Sequence, residues 1–237
     1  QMEMRKLSKD SVLCEEFNKA VSRRLESGTF IFLSDLKKKN PKLGEELEKM
    51  KKIWSPLTYQ WKEGSERNRL RPVVNYSYKP RPDVPSYNDS QLVGSSRNRN
   101  LQEVLIWQRQ WCYLSQSDIH DFYQAHELSP EDVMLNCFLF RRDGFCSDSP
   151  LETVISLSLN FGARSAQCLA QLAKFLTGKM YIYPVSPDVD HALTYAITDD
   201  LFVGSSDKQK LLEMEKILES GLKEGGYTLK KFRRSNT

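Results

Sequence analysis

Residues His191–Gly204 read His-Ala-Leu-Thr-Tyr-Ala-Ile-Thr-Asp-Asp-Leu-Phe-Val-Gly and carry the most informative pattern of the chain. An apolar run stops at two adjacent carboxylates, Asp199 and Asp200, and then resumes as far as Gly204. Alternation on both sides predicts two short strands joined by a tight turn that carries the acidic pair. Two like charges at a hairpin tip repel each other, so the pattern fits either a solvated turn or a turn that holds a divalent cation.

The bulk composition is that of an ordinary globular protein. Hydrophobic residues make up 39% and charged residues 28% of the 237 residues, which is enough chain for one large domain or two subdomains. No apolar run approaches the roughly 20 residues that span a bilayer, and no signal-peptide pattern opens the sequence. We therefore expect no membrane partner and no secretion.

The cysteines and histidines argue against two other kinds of site. Five cysteines, at positions 14, 112, 137, 146 and 168, are odd in number and widely spaced, without a C-x-x-C pair. This pattern argues against a disulfide framework or a zinc site and indicates a reducing compartment. The three histidines share no ligand spacing, so a histidine-based metal site is not expected.

Positive charge is clustered, although the net charge is only +4. Each cluster alone is typical of a solvated surface, whereas several clusters that converge on one cleft would form a track for a phosphate backbone. The residues that we expect to contact nucleic acid in this way are Arg67, Arg69, Lys79, Arg81, Arg97 and Arg99.

Apolar periodicity and turn residues predict an α+β protein in which an antiparallel sheet packs on helices. The predicted helices cover residues 9–26, 36–52, 101–107, a short aromatic segment at 122–123, 166–176 and 211–222, the last capped by Ser205 or Ser206 and ended by Gly225 and Gly226. The predicted strands, besides those flanking the acidic pair, cover residues 30–33, 54–61, 71–78, 111–118, 133–141, 153–159 and 227–232.

A third carboxylate, Asp118, ends the apolar strand predicted at residues 111–118. If this strand lies beside the acidic hairpin, Asp118, Asp199 and Asp200 converge at one edge of the sheet. Three carboxylates suit Mg²⁺, a hard cation that takes its remaining ligands from water and substrate phosphates. Two such ions about 3.5–4 Å apart can activate a hydroxyl and stabilise a leaving pyrophosphate.

A series of segments then resembles one protein family in order and spacing. The segments are Leu70–Ser77, Ser86–Asp89 with Leu92–Gly94, Ser117–Ile119 with Phe122 and Tyr123, Leu128–Asp132, Phe138–Arg141, Asn160–Gln171, Ile197–Asp200 and Gly225–Phe232. They look like the motifs of the reverse transcriptases of BEL/Pao-type LTR retrotransposons, and they cover nearly the whole chain. Ile197–Asp200 occupies the place of that family's Y-x-D-D box.

The resemblance implies a reverse-transcriptase-like fold of fingers and palm. Residues 1–93 and the hairpin 126–165 would form the fingers, residues 94–125 and 166–237 the palm, and neither a thumb nor a ribonuclease H domain is recognised. It also implies a catalytic, metal-binding triad of Asp118, Asp199 and Asp200, helped by the backbone of Ile119, with two Mg²⁺ or Mn²⁺ ions as cofactors.

The resemblance further implies a site for deoxynucleoside triphosphates. Tyr123 matches an aromatic residue that stacks beneath the incoming sugar and blocks a 2′-hydroxyl, although composition alone fits a core aromatic equally well. Arg71 matches an arginine that contacts the triphosphate, while without the motif it would be a surface arginine. Phe161 and Gly162 would line the nucleotide pocket.

Three positions depart from the family pattern and keep a second interpretation open. Asn75 stands in place of an Asp, Gln167 in place of a Pro, and Ile197 in place of the Tyr of the box. The first interpretation is an RNA-directed DNA polymerase that takes an RNA or DNA template with its primer, located in cytoplasmic virus-like particles or the nucleus. The second is a domesticated copy that binds nucleic acid or a protein partner, and the third is a nucleotidyltransferase without a template.

Overall fold

The computed structural model describes residues 7–62, 69–94 and 99–235. The chain divides into two compact units, Gln1–Leu92 with His126–Arg164, and Val93–Ala125 with Ser165–Thr237. These boundaries lie within one residue of those expected from the resemblance. Each unit therefore combines two separate segments of the sequence.

The regular elements alternate between helices and strands. The helices are α1 (Ser11–Glu26), α2 (Leu33–Lys39), α3 (Pro41–Lys49), α4 (Leu101–Gln108), α5 (Pro130–Val133), α6 (Ala166–Thr177), α7 (Asp190–Thr194) and α8 (Lys208–Glu224). The strands are β1 (Phe30–Phe32), β2 (Leu57–Lys62), β3 (Arg69–Val74), β4 (Tyr113–Asp118), β5 (Cys137–Arg141), β6 (Leu151–Ser156), β7 (Asp200–Ser205) and β8 (Arg233–Arg234). All the strand pairs are antiparallel, as the sequence predicts.

The first unit contains two sheets. One has the strand order β1-β6-β5, and the other is the hairpin β2-β3. Phe17 of α1 packs against Tyr59 and Phe140 with ring centroids 6.3 and 6.2 Å apart, so this helix covers both sheets. The predicted strand pairs at 54–61 with 71–78 and at 133–141 with 153–159 are confirmed, with ends shifted by a few residues.

One predicted helix, residues 36–52, is two helices in the structure. Pro41 disfavours a helical conformation in the residue before it and lacks the amide that a continuous helix would need. Asn40 instead caps α3, because its side chain accepts a hydrogen bond from the amide of Leu43 at 3.2 Å. The sequence therefore signals a helix start where apolar periodicity alone suggests continuity.

The second unit is built on a sheet with the strand order β7-β4-β8. Its helix α8 packs on β4 and β7 and buries Leu211, Leu218 and Leu222. Asp207 caps α8, since its side chain accepts from the amide of Lys210 at 2.8 Å. The cap predicted at Ser205 or Ser206 is thus one or two residues too early.

Two further predictions in the second unit are wrong. Residues His191–Thr194, expected to be a strand, belong to α7, because Val189, Ala192, Leu193 and Ala196 are buried at helical spacing. The residues after Asp118, expected to be a short helix, form turns, and Asp121 has a φ of 46°.

The C-terminal strand, predicted at residues 227–232, is displaced to β8. Leu229 makes only an isolated bridge to Ile119, and the amide of Lys230 donates to the carbonyl of Asp118 at 2.9 Å. The bridge to Ile119 lies just beyond the last residue of β4. Residues 227–232 therefore run along the sheet without forming a continuous strand.

Cys14 and Cys146 form a disulfide, against the expectation from the cysteine pattern. Their separation of 132 residues gives no local signal of this pairing. The disulfide does not include Cys112, Cys137 or Cys168. Among the helices of the described residues, none is both long and apolar enough to cross a membrane.

Candidate active site

The sheet of the second unit makes the backbones of the predicted aspartates neighbours. Asp118, the last residue of β4, is the direct antiparallel partner of Asp200, the first residue of β7. Directly opposite residues project from the same face of a sheet. The amide of Ile119 donates to the carbonyl of Asp199 at 3.0 Å, which places the third aspartate in the next position of the same ladder.

The turn that precedes β7 is a tight two-residue loop. Ile197 and Asp200 exchange both backbone hydrogen bonds at 2.9 Å, and Thr198 and Asp199 lie between them. Thr198 has a φ of +54°, a left-handed conformation that is rare for a β-branched residue. The acidic pair is therefore divided, with Asp199 in the loop and Asp200 already in the strand. We call Ile197–Asp200 the acidic turn.

Two of the three carboxylates have polar partners within the unit. The ammonium of Lys230 forms an ion pair with Asp118, and Gln116 donates to Asp200 at 3.0 Å. The hydroxyl of Ser117 donates to the carbonyl of Lys230 at 2.6 Å, which fixes the backbone from which that lysine extends. Side-chain contacts thus balance part of the negative charge at the sheet edge.

The aspartates have the donor chemistry of a magnesium site, since carboxylate oxygens are the ligands that Mg²⁺ prefers. Within residues 7–62, 69–94 and 99–235, however, no three His, Cys, Asp or Glu side chains are grouped closely enough to hold a metal ion. Asp118 instead pairs with Lys230, and Asp200 accepts a hydrogen bond from Gln116. A bound ion would draw these carboxylates away from their present partners.

Helix α6 supplies two polar groups to the acidic turn. The ammonium of Lys174 and the side-chain amide of Gln171 both donate to the carbonyl of Thr198, at 2.6 and 3.1 Å. Burial lowers the pKa of Lys174 to about 7, while the carboxylates of Asp199 and Asp200 act in the opposite direction. Sequence analysis missed both residues, although Lys174 follows the buried Ala170 by one helical turn.

Tyr123 and Ile119 lie near the same aspartates. Burial raises the pKa of Tyr123, and the negative charge of Asp199 raises it further. The Phe122 ring packs against Tyr123 with centroids 5.4 Å apart. Ile119 is buried, and its backbone joins the acidic turn to the end of β4. The structure therefore places Tyr123 and Ile119 beside the predicted aspartates.

The other predicted nucleotide-site residues belong to the first unit. The Arg71 guanidinium lies 6.0 Å from the centroid of the Phe161 ring. Gly162 has a φ of +94° and lines a cavity of about 280 Å³ with Asn75 and Tyr76. The structure thus brings Arg71 close to Phe161, with Gly162 next in the chain.

Asn88 holds this segment of the first unit. Its side-chain nitrogen donates to the Gly162 carbonyl at 2.8 Å and to the Ser77 hydroxyl at 2.9 Å. Its side-chain oxygen accepts from the amide of Arg164 at 2.9 Å. One side chain therefore satisfies two backbone groups on either side of Ala163.

The described basic side chains of the proposed nucleic-acid track have acidic neighbours. Lys79 pairs with Asp89 at 2.8 Å, Arg81 with Asp83 at 3.5 Å and Arg99 with Glu103 at 3.4 Å. Arg67 and Arg97 lie outside the described residues, as does the side chain of Arg69, whose backbone pairs in β3. Exposed pairs of this kind are weak, so phosphate groups can compete for these cations.

Comparison with known proteins adds evidence on the fold. No protein-family model and no curated protein matches the chain. A foamy viral protease-reverse transcriptase in complex with double-stranded DNA is similar, with a TM-score of 0.58, 13% identity and coverage of 87% of this chain and 28% of that one. The native prototype foamy virus protease-reverse transcriptase has a TM-score of 0.58 and 15% identity, and the match covers 88% of this chain and 22% of that one. Its selenomethionine-labelled CSH mutant has a TM-score of 0.60 and 15% identity, with coverage of 90% of this chain and 23% of that one.

The match includes most of this chain but about a quarter of the length of those proteins. At 13–15% identity the similarity concerns the fold. It agrees with the mixed helices and antiparallel sheets of both units. The chain therefore has a reverse-transcriptase-like fold.

Proposed function

We propose that this chain is the fingers and palm of an RNA-directed DNA polymerase of BEL/Pao type, which adds deoxynucleotides to a primer 3′-hydroxyl. The observation that carries the proposal is the register of β4 with β7, in which Asp118 faces Asp200 and Asp199 occupies the adjoining turn. This register supports the proposal because it makes the backbones of all three aspartates neighbours at one edge of the sheet.

Asp118, Asp199 and Asp200, with the backbone of Ile119, would hold two Mg²⁺ or Mn²⁺ ions. When bound, such ions favour deprotonation of a hydroxyl and stabilise the charge on a departing pyrophosphate. The protein's own contribution is to hold the carboxylates in register through β4 and β7. Lys230 and Gln116 keep two of them hydrogen-bonded when no ion is present.

The remaining residues would bind the substrates. The half-buried ring of Tyr123, close to Asp199, is suited to lie beneath the sugar of the incoming nucleotide. Arg71 would contact the triphosphate, while Phe161 and Gly162 would line the nucleotide pocket. The basic residues at positions 67, 69, 79, 81, 97 and 99 would contact the phosphates of template and primer, which suits an enzyme that must accept any sequence.

Primer extension with Mg²⁺ or Mn²⁺, a primed RNA template and deoxynucleotides tests the proposal. Asp199→Asn is nearly isosteric but removes one charge from the site, so extension should fall by about 10³-fold or more, as for loss of a group that stabilises transition-state charge. Asp188→Asn is the matched control, since Asp188 is an exposed partner of Lys210. Equal activity of Asp199→Asn and the wild type would refute the proposal.

A second candidate is a domesticated, catalytically weak or inactive copy that acts as a binding module. The ion pair of Lys230 with Asp118 favours it, because a lysine then occupies a carboxylate that a polymerase needs. Binding of primed RNA without extension would support this candidate, and capture of a specific protein partner would define its role. Addition of nucleotides to a primer without template would instead indicate a template-independent nucleotidyltransferase. For a polymerase of this type we propose a location in cytoplasmic virus-like particles or the nucleus.

A further inference from the structure

Helix α6 departs in part from the usual pattern of an amphipathic helix. Its apolar residues Leu169 and Leu176 are exposed, at 47% and 51%, whereas Gln171 and Lys174 are buried, at 5% and 2%. The buried face instead consists of Ala166, Ala170, Gln171, Lys174 and Thr177. Departures from the hydrophobic pattern are expected mainly where function requires them.

The buried side of α6 faces the acidic turn. Lys174 and Gln171 donate to the same oxygen, the carbonyl of Thr198, and a carbonyl oxygen has two lone pairs. The Lys174 ammonium also lies 5.4 Å from the centroid of the Phe122 ring. Lys174 is therefore fixed by its surroundings and cannot turn toward solvent.

Two lysines balance the carboxylates in different ways. Lys230 pairs with Asp118, but 51% of its side-chain surface is exposed, so it can swing aside when a cation arrives. Lys174 acts on Asp199 and Asp200 at longer range and is enclosed by α6, Phe122 and the turn. Its positive charge would therefore remain in place while a metal ion binds.

We propose that Lys174 is the internal counter-ion of the acidic turn, a fixed cation that positions the Thr198 carbonyl and lowers the affinity of Asp199 and Asp200 for divalent cations. This inference rests on the metal-binding part of the proposed function. Lys174 is a positioning residue, because it contacts the turn and no reacting atom. A fixed positive charge near the site also means that the folded chain needs no metal to hold the acidic turn.

Mn²⁺ binding at pH 6, where Lys174 with its pKa of about 7 carries the proton, tests the inference without any measure of activity. It is followed by the loss of the free-ion electron paramagnetic resonance signal. Lys174→Gln removes the charge but keeps a donor for Thr198, and Gln171 continues to donate. We expect Lys174→Gln to bind Mn²⁺ about three- to tenfold more tightly, as expected for the loss of a nearby like charge. In the double variant Lys174→Gln with Asp199→Asn, the increase in Mn²⁺ affinity should disappear. That result would assign the increase to the acidic turn.

Lys208→Gln is the matched control. Lys208 is exposed at the start of α8, close to the end of β7 opposite to Asp200. The length of that strand, about 3.3 Å per residue, separates it from the site by more than the Debye length of about 8 Å. Its replacement should leave the affinity unchanged.

The possible outcomes separate the inference from the proposed function. If the wild type binds Mn²⁺ at Asp199 and Lys174→Gln binds no more tightly, the inference alone is wrong. If neither protein binds Mn²⁺, the metal site and the inference both fail. Lys174→Met provides a second uncharged variant of similar length if Lys174→Gln does not fold, and failure of both to fold would assign Lys174 to core stability and overturn the inference.

Discussion

Lys174 makes the stability of the protein depend on pH in a direction opposite to that of a lysine whose pKa is raised by an ion pair. Its folded pKa is about 7, whereas an unfolded lysine has a pKa of about 10.4. Between these values the unfolded state binds more protons, so the free energy of unfolding rises with pH. The carboxylates of Asp199 and Asp200 act against the larger effect of burial on the pKa of Lys174, and burial raises the pKa of the neighbouring Tyr123.

We therefore expect the wild type to gain stability relative to Lys174→Met as pH rises from 7 to 9, by at most roughly 1.4 kcal/mol per pH unit for one proton. Urea unfolding of both proteins at several pH values measures the difference. The gain should be absent below pH 6, where both states carry the proton. Parallel stability profiles of the two proteins would show that Lys174 remains charged in the fold.

At the scale of elements, the acidic turn carries backbone strain. Thr198 adopts a φ of +54°, which costs a β-branched residue about 1–2 kcal/mol that glycine does not pay. Replacing Thr198 by glycine removes this strain, but the greater conformational freedom of glycine in the unfolded chain offsets about 0.5–1 kcal/mol of the stabilisation. Thr198→Gly should thus raise the free energy of unfolding by about 0.5–1 kcal/mol, measured by urea unfolding.

Thr194→Gly is the contrasting variant, because Thr194 ends helix α7 with ordinary helical geometry. There the same substitution should lower the free energy of unfolding by up to about 1 kcal/mol. A loss of stability in both variants would indicate that the Thr198 conformation is not strained.

Apolar periodicity and capping residues predicted the helices and strands that are determined by neighbouring residues in the sequence. Helix α1 and strand β4 were predicted because their apolar spacing is regular, and Asp118 was placed at the end of β4 for the same reason. The orientation of α6 could not be predicted, since a buried lysine is recognisable only when its partner Thr198, 24 residues away, is known. The displaced strand β8 likewise depends on pairing with a distant segment.

The sequence named the acidic residues of the candidate site but not their partners. The aspartates were found because a doublet and a distant strand end matched motifs of one family in order. Lys230 lies within one of those motifs, but its ion pair with Asp118 depends on a side-chain contact between segments 112 residues apart. Sequence therefore identified the acidic groups and not the cations that balance them.

At the scale of the whole molecule, the two units have separate cores. In the first unit, Tyr76 is 1% exposed, donates to Asn136 at 2.6 Å and accepts from Asn160 at 3.0 Å. Tyr76→Phe leaves both amides with a missing partner, which should lower the free energy of unfolding by about 1–3 kcal/mol. Tyr78→Phe, at an exposed position, is the control.

The same variant tests whether the units are energetically separate. Substitutions without shared partners have nearly additive effects, and Tyr76 has no described contact with the aspartates. Tyr76→Phe should therefore leave the Mn²⁺ affinity of the second unit unchanged while it lowers stability. A parallel loss of affinity would reveal coupling between the two units.

Asn88 gives the segment after Asn160 the backbone hydrogen bonds that a neighbouring strand would otherwise provide. With one amide group it serves the carbonyl of Gly162 and the amide of Arg164, as the backbone of a strand partner does. An aspartate at position 88 would match its shape yet could offer no proton to Gly162. Spontaneous deamidation of this one side chain would thus be enough to loosen the loop without altering any strand.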